Sequence, residues 1–334
     1  MAQPLTAVRR LALRLSGPLL LAACATNPVT GKRELVLISE QQEIQMGQEG
    51  AAQVAQTIGL VNDSGLQRYV QGVGESLARV SQRPQLPWTF RVVDDPTPNA
   101  FALPGGYIFV TRGLMDLMTS EAELATVVGH EIGHVTARHQ VRSLTRAELA
   151  QVGLALGSVL SPTIARFGQL AGTGMQLLFL KYDRAAEAQA DELGFDYARR
   201  DGYDVKEMAD VFEALDRVQQ REGASALPGW LETHPAGPDR ISKVHERVAA
   251  LGDTARAVRA GIVRRPEYLR QIDSLAYGAD PRQGFFQGAR FVHPALRFQI
   301  TFPEGWKTQN LAQAVAAASP RQDAVEQLTL ADSG

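Results

Sequence analysis

The sequence predicts an α+β fold: a mostly helical domain with a small β-sheet beside a histidine-bearing helix, and a β-like C-terminal segment. Three observations predict it. Amphipathic stretches with capping signals recur from about residue 39 to residue 252. Two short β-patterned runs, "TFRVVD" and "YIFVT", flank the turn-rich "DPTPNAFALPGG". Near the end, "RFVHPALRFQITFPEGW" changes to strand-like runs broken by turn residues.

The chain has 334 residues, 45% apolar and 21% charged, enough to bury a large core plus an appendage. A net charge of -2 and the lack of any dense Lys/Arg run exclude an electrostatic nucleic-acid face, so no nucleic-acid partner is expected. Arg9, Arg10 and Arg14 precede "LSGPLLLAAC", an apolar run too short to span a bilayer. Residues 1–23 thus read as a secretory signal peptide. Leu21-Ala22-Ala23-Cys24 resembles a bacterial lipobox, which implies lipidation of Cys24 as the first mature residue. With Ala25 following, that reading puts the chain in the periplasm, anchored by lipid to the inner face of the outer membrane. Cys24 is the only cysteine, so no disulfide forms within one chain.

Residues 24–35, with Pro28 and Gly31, read as a polar tether, and residues 36–252 as the main domain. "ISEQQEIQMGQEGAAQVAQ" predicts a first helix with Ser39 as its N-cap. Residues 64–80 predict a second, interrupted by Gly72 and Gly74. After the two strands, Ser120 and Glu123 form a capping box that opens the histidine-bearing helix. Leu149 to Leu180 is apolar and glycine-rich, and Leu149 to Ala165 carries no charge. Pro162 and Arg166 argue against a membrane span there and favour helices packed over the core, as a lid above a groove. Helices follow in "RAAEAQADELGFDYARRDG", "KEMADVFEALDRVQQREG" and "ISKVHERVAAL", with the loop "PGWLETHPAGPDR" before the last. Residues 253–283 read as a connector, and 284–334 as a small β-rich segment that looks truncated. No internal repeat is present.

The chemistry concentrates in "GHEIGHVTARH", residues 129–139. His130 and His134 stand at i and i+4, which puts both imidazoles on one side of a helix, suited to one metal ion. Glu131 lies beside them as a general base, completing the H-E-x-x-H zinc pattern. His139 is five residues past His134, rotated by about 140° on a continuous helix, which predicts a surface histidine or one packed behind the ligands. A longer zinc pattern would need Gly at 137 and His at 140; Ala137 and Gln140 exclude it. A catalytic zinc needs a third protein ligand and an open position. In "DRAAEAQADELG", Glu187 and Asp191 share a helix face: Glu187 as third ligand, Asp191 as acceptor of a ligating histidine's outer N–H. The competing reading is a solvated acidic face. Ala185, Ala186, Ala188 and Ala190 are small enough to let two helices approach.

Together, "VVGHEIGHVTARH", "RAAEAQAD" and "THPAGPDR", in that order, resemble the CAAX-prenyl-endopeptidase-like (HtpX/BepA-type) gluzincin family of zinc metallopeptidases. The likeness covers roughly residues 35–252. It implies a zincin-type metallopeptidase domain holding one zinc ion per chain through His130, His134 and Glu187. In this resemblance Glu131 is the base and Asp191 the outer partner; that the substrates are protein or peptide chains of the envelope, misfolded or unassembled, is an expectation of this reading and is not carried over from the family. His234 matches a His-Pro element, as a latch on the open position or as an oxyanion donor, with Arg240 a second donor. The plainer reading of His234 is a residue that shapes the loop. A strand within "NAFALPGGYIFV" would pair with an extended peptide, though Gly105 and Gly106 also signal a simple turn.

This sequence departs from the family in two ways: it has no convincing membrane spans beside the active-site helix and no helical repeat array after the domain. A lipoprotein chaperone or assembly factor with a latched or inactive zinc site would share every motif. A metal-free core of histidines is the third possibility. Substrate identity and oligomeric state are not encoded in any motif.

Overall fold

A computed structural model of the chain describes residues 24–158, 182–222, 230, 234, 238–252, 261–278, 280–311, 314–321 and 323–329. The expected signal peptide and part of the 149–180 apolar stretch therefore lie outside the described residues. Helix α1 (Glu40–Thr57) opens on a full capping box: the Ser39 hydroxyl accepts the Gln42 N–H, and the Gln42 side chain accepts the Ser39 N–H. Helix α2 (Ser64–Arg79), capped by Asp63, runs unbroken through Gly72 and Gly74, against the interruption predicted. Gly74 is required by packing: a Cβ there would fall 2.2 Å from the Phe90 ring. The apolar positions Leu66, Val70, Val73 and Leu77 recur at helical spacing and bury one face on the sheet.

The sheet has three strands, β3 (Thr89–Val93), β4 (Ala100–Leu103) and β5 (Tyr107–Thr111), in the order β3-β5-β4. β5 pairs parallel with β3 and antiparallel with β4. β4 occupies part of the segment expected to be turn. All four of its residues are buried, so no in-out alternation marks it in the sequence. Gly105 and Gly106, at φ of 78° and 104°, turn the chain between β4 and β5.

α3 (Arg112–Leu117) leads into α4 (Glu121–Thr136), the histidine helix, whose residues are all buried. Ser120 caps it through the Glu123 N–H at 3.1 Å. The reciprocal half of the predicted capping box is displaced by one residue: the Glu123 carboxylate accepts from the Thr119 N–H and hydroxyl. The rest of the domain is α5 (His139–Ser158), α6 (Arg184–Arg200), α7 (Glu207–Glu222), α8 (Pro238–Ala250) and α9 (Arg265–Ile272). One core joins Leu124, Val128 and Ile132 of α4 to Phe90 and Ile108 of the sheet, Phe195 of α6 and Leu215 of α7. Among the described residues, no helix is long and apolar enough to cross a membrane.

Two stretches differ from expectation. The predicted tether is a hairpin, β1 (Cys24–Thr26) paired with β2 (Arg33–Leu35). Its Asn27 is buried and donates to the Ala137 carbonyl at 3.2 Å, against the C-terminal end of α4. Arg83 secures the same end, donating to the Val135 carbonyl (3.1 Å) while paired with buried Glu43 (2.8 Å). The predicted connector supplies α9, whose buried Tyr268 donates to the Met115 carbonyl at 2.6 Å within the main core. Beyond it stand two antiparallel three-stranded sheets, as the sequence's change of character predicts. They are β6 (Phe285–Gln287), β7 (Arg290–His293) and β8 (Phe298–Thr301), then β9 (Lys307–Leu311), β10 (Ala314–Ala318) and β11 (Val325–Thr329). Phe291, Phe302, Val315 and Ala317 form a cluster shared by both sheets.

Candidate metal centre

α4 and α6 supply the site, and glycines let them approach. A Cβ at Gly194 of α6 would lie 2.7 Å from the His130 backbone nitrogen, and one at Gly129 of α4 would lie 3.0 Å from the Gly194 carbonyl oxygen. Gly133 faces Ala190 in the same way. Of the four alanines expected to permit this contact, Ala186 and Ala190 are buried; Ala185 is exposed.

The approach brings together residues far apart in sequence. His130 Nε2 and His134 Nε2 are 3.0 Å apart, and His234 Nδ1 lies 3.3 Å from His130 Nε2. Glu187 sets Oε1 2.9 Å from His234 Nδ1 and 3.4 Å from His134 Nε2, and Oε2 3.7 Å from His130 Nε2. Two ligands each about 2 Å from one ion at a tetrahedral angle would be separated by about 3.3 Å. The donor atoms of His130, His134, Glu187 and His234 all lie within 4.8 Å of one another, and all four residues are buried. Glu187 Oε2 and Glu131 Oε1 are buried without a hydrogen-bond partner among the described residues. A desolvated Glu187 oxygen beside inward-facing imidazole nitrogens fits a divalent cation, and the Glu131 oxygen stands outside that donor set, placed to meet a water.

The electrostatics follow from burial. Burial pushes the Glu131 carboxyl up, against the pull of His234 and His130. It also holds the His134 imidazole well down, in the neutral form that a metal ligand needs. For Glu187, burial raises the carboxyl, but His234, His134 and His130 together bring it below its usual range. For His234, burial acts downward and the carboxylates Glu187 and Glu131 reverse it. His234 Nε2 stands 3.6 Å from Glu131 Oε1, so the predicted latch or donor residue touches both the donor set and the predicted base.

Behind this set, His130 Nδ1 meets Asp191 Oδ1 at 2.9 Å, and Arg240 grips the same carboxylate by Nε (2.8 Å) and Nη2 (2.6 Å). Burial raises Asp191, and Arg240 together with His130 more than offsets it. Arg240 also reaches the His234 carbonyl at 3.4 Å. His139 is not a surface residue. α4 ends at Thr136, Arg138 turns the chain at φ 57°, and His139 opens α5 facing back toward His134, buried. The rotation argument fails because the helix is not continuous there. Burial lowers the His139 imidazole to about 4. Two neighbours carry no motif: Tyr182, stacked on the His134 ring with centroids 4.0 Å apart, and Gln189, bonded to His139. Their only signal in the sequence is proximity to Glu187. The Cys24 backbone sits in β1, paired with Leu35 of β2.

An H-E-x-x-H helix facing a glutamate from a second helix, beside a small mixed sheet, defines a zincin-type α+β domain with a metal site. Comparison with known proteins gives the family. The chain belongs to peptidase family M48, whose model matches residues 64–248. It is 31% identical over 229 residues to the mitochondrial metalloendopeptidase OMA1 of Schizosaccharomyces pombe, covering 66% of this chain and 65% of that one. It is 32% identical over 233 residues to the beta-barrel assembly-enhancing protease of Escherichia coli strain K12, covering 66% of this chain and 47% of that one. The OMA1 of Arabidopsis thaliana is 33% identical over 184 residues, covering 54% of this chain and 36% of that protein. The chain thus spans between about a third and two thirds of the length of these relatives.

Proposed function

We propose that the chain is a zinc-dependent endopeptidase acting on misfolded or unassembled envelope proteins, held by lipid on Cys24 at the periplasmic face of the outer membrane. One observation carries the catalytic part: the meeting of His130, His134 and Glu187, with the buried Glu131 oxygen beside them. Zinc in such a set lowers the pKa of water to about 7 and polarises a carbonyl. Glu131 takes the proton from the attacking water and delivers it to the leaving amine, a role supported by its buried oxygen beside the donor set. Asp191 holds His130 with Nε2 facing the site, and Arg240, its fork engaged by Asp191, positions that carboxylate. β4, an edge strand against α4, supports the reading that an extended peptide adds to the sheet there. That the Escherichia coli relative is a beta-barrel assembly-enhancing protease supports a role connected with protein assembly.

The test is casein digestion by the soluble chain from residue 25, with and without chelator, beside Glu131→Gln. The variant should keep zinc and lose hydrolysis; wild-type cleavage by it would refute the role given to Glu131. A second reading rests on His234 Nδ1 lying 2.9 Å from Glu187 Oε1, inside the donor set. As a latch, His234 closes the open position, and the chain then works as an assembly factor until released. His234→Ala separates the two: turnover rises if His234 is a latch and falls if it is an oxyanion donor.

A further inference from the structure

We infer that His139, backed by Gln189, is the positioning residue that fixes the tautomer and ring orientation of His134. This role matches the one Asp191 plays for His130 but uses a neutral partner. The inference rests on the metal reading above and on a chain of contacts in which only one donor order leaves His134 Nε2 free for a metal. His139 Nε2 lies 3.0 Å from Gln189 Oε1, an amide oxygen that can only accept. With that oxygen toward the ring, His139 carries its proton on Nε2, which leaves Nδ1 as a lone pair. That Nδ1 lies 2.9 Å from His134 Nδ1. It must accept, so His134 carries its proton on Nδ1 and turns an unprotonated Nε2 toward His130, Glu187 and His234. The reverse order would protonate His134 Nε2 and abolish it as a ligand.

Two further features hold the arrangement. Arg138, at φ 57°, folds His139 back onto His134 as the first residue of α5, within reach that helical continuation would deny. Tyr182 stacks on the open face of the His134 ring at 30° between planes, so the ring cannot swing out of line with His139. Gln189 lies two residues after Glu187 on α6, so the helix that brings the third ligand also brings the acceptor that orients the second one. The two imidazole ligands consequently differ. His130 is backed by a carboxylate, whereas His134 is backed by a neutral ring.

The full-length chain is titrated with zinc against a chromophoric chelator, as wild type, His139→Phe, His139→Asn and Gln189→Leu. Long-range ¹H–¹⁵N spectra of the zinc-loaded proteins report which nitrogen of His134 is protonated. Loss of the acceptor in His139→Phe should weaken zinc about 10–100-fold. His139→Asn, whose amide oxygen accepts, should recover most of that loss, and His134 should read as the Nδ1–H tautomer in wild type. Equal zinc affinity in wild type and His139→Phe overturns the inference, as does an Nε2–H His134 in the loaded wild type. If His139→Phe does not fold, Gln189→Leu decides. Gln189 is only partly buried, and its loss should weaken zinc several-fold; unchanged affinity overturns the inference. A wild-type chain that binds no zinc overturns the metal reading itself, and this one with it.

Discussion

Gly194→Ala tests whether ligand convergence depends on how closely α6 lies on α4. An ideal Cβ at 194 falls 2.7 Å from the His130 nitrogen and 3.0 Å from its Cα. Ordinary contact begins at 3.4 Å, so the helices must part by about 0.7 Å. Both obstructing atoms are backbone, and no change of rotamer relieves them. Overpacking of this kind costs about 1–3 kcal/mol, and the better helix propensity of Ala returns about 1 kcal/mol. The net loss of stability is therefore about 0–2 kcal/mol, a few degrees in Tm at most. The effect on the metal is larger. Glu187 lies about two turns from Gly194 on the same helix, so a rigid displacement of that helix carries through to its carboxylate. Metal–ligand distances tolerate about 0.2 Å, so the shift removes most of what Glu187 contributes, and zinc affinity should fall at least about tenfold. Competition titration with zinc and thermal melting of the metal-free protein measure the two parts separately. A variant that melts at or above wild type and binds zinc equally well would refute the reasoning.

Asp191→Ala removes the acceptor from His130 Nδ1 and should weaken zinc about 10–100-fold in the same titration. Tyr268→Phe leaves the Met115 carbonyl without its buried donor and should cost about 1–3 kcal/mol in urea unfolding; no change would mean α9 contributes nothing to the main core. Asp63→Ala removes the cap of α2 and should cost about 0.5–2 kcal/mol near neutral pH. The Leu66 N–H, with help from Gly65, holds the Asp63 carboxyl below its unfolded value, so its contribution is complete above the ordinary carboxylate range. That contribution is lost as pH falls through the lowered value, so the gap between wild type and variant should close in acid; a gap independent of pH would rule out the charged cap.

The residues that were legible in the sequence are those whose chemistry is carried by local spacing. His130 and His134 declare themselves because i, i+4 on one helix is the same geometry whatever the rest of the chain does. Glu187 and Asp191 declare themselves by the same spacing once a third ligand is required. His139 misleads because the same arithmetic is carried past the end of the helix: nothing in "VTARHQ" is a glycine or proline, and Arg138 takes a left-handed conformation without one. β4 is silent for the opposite reason. With Ala100, Phe101, Ala102 and Leu103 all buried, the run has no alternation to read. Asn27 has a turn-like neighbourhood, yet its partner is a carbonyl 110 residues away, which no local pattern encodes. The approach of α4 to α6 lies between these cases. Gly129 and Gly133 are present in the motif and Gly194 follows it, but a glycine in a helix is locally only a weak helix former. It becomes a condition for bringing the donors together when the other helix supplies a backbone in that space, and with a Cβ at 194 the four donors would retain their spacing in sequence and lose their convergence.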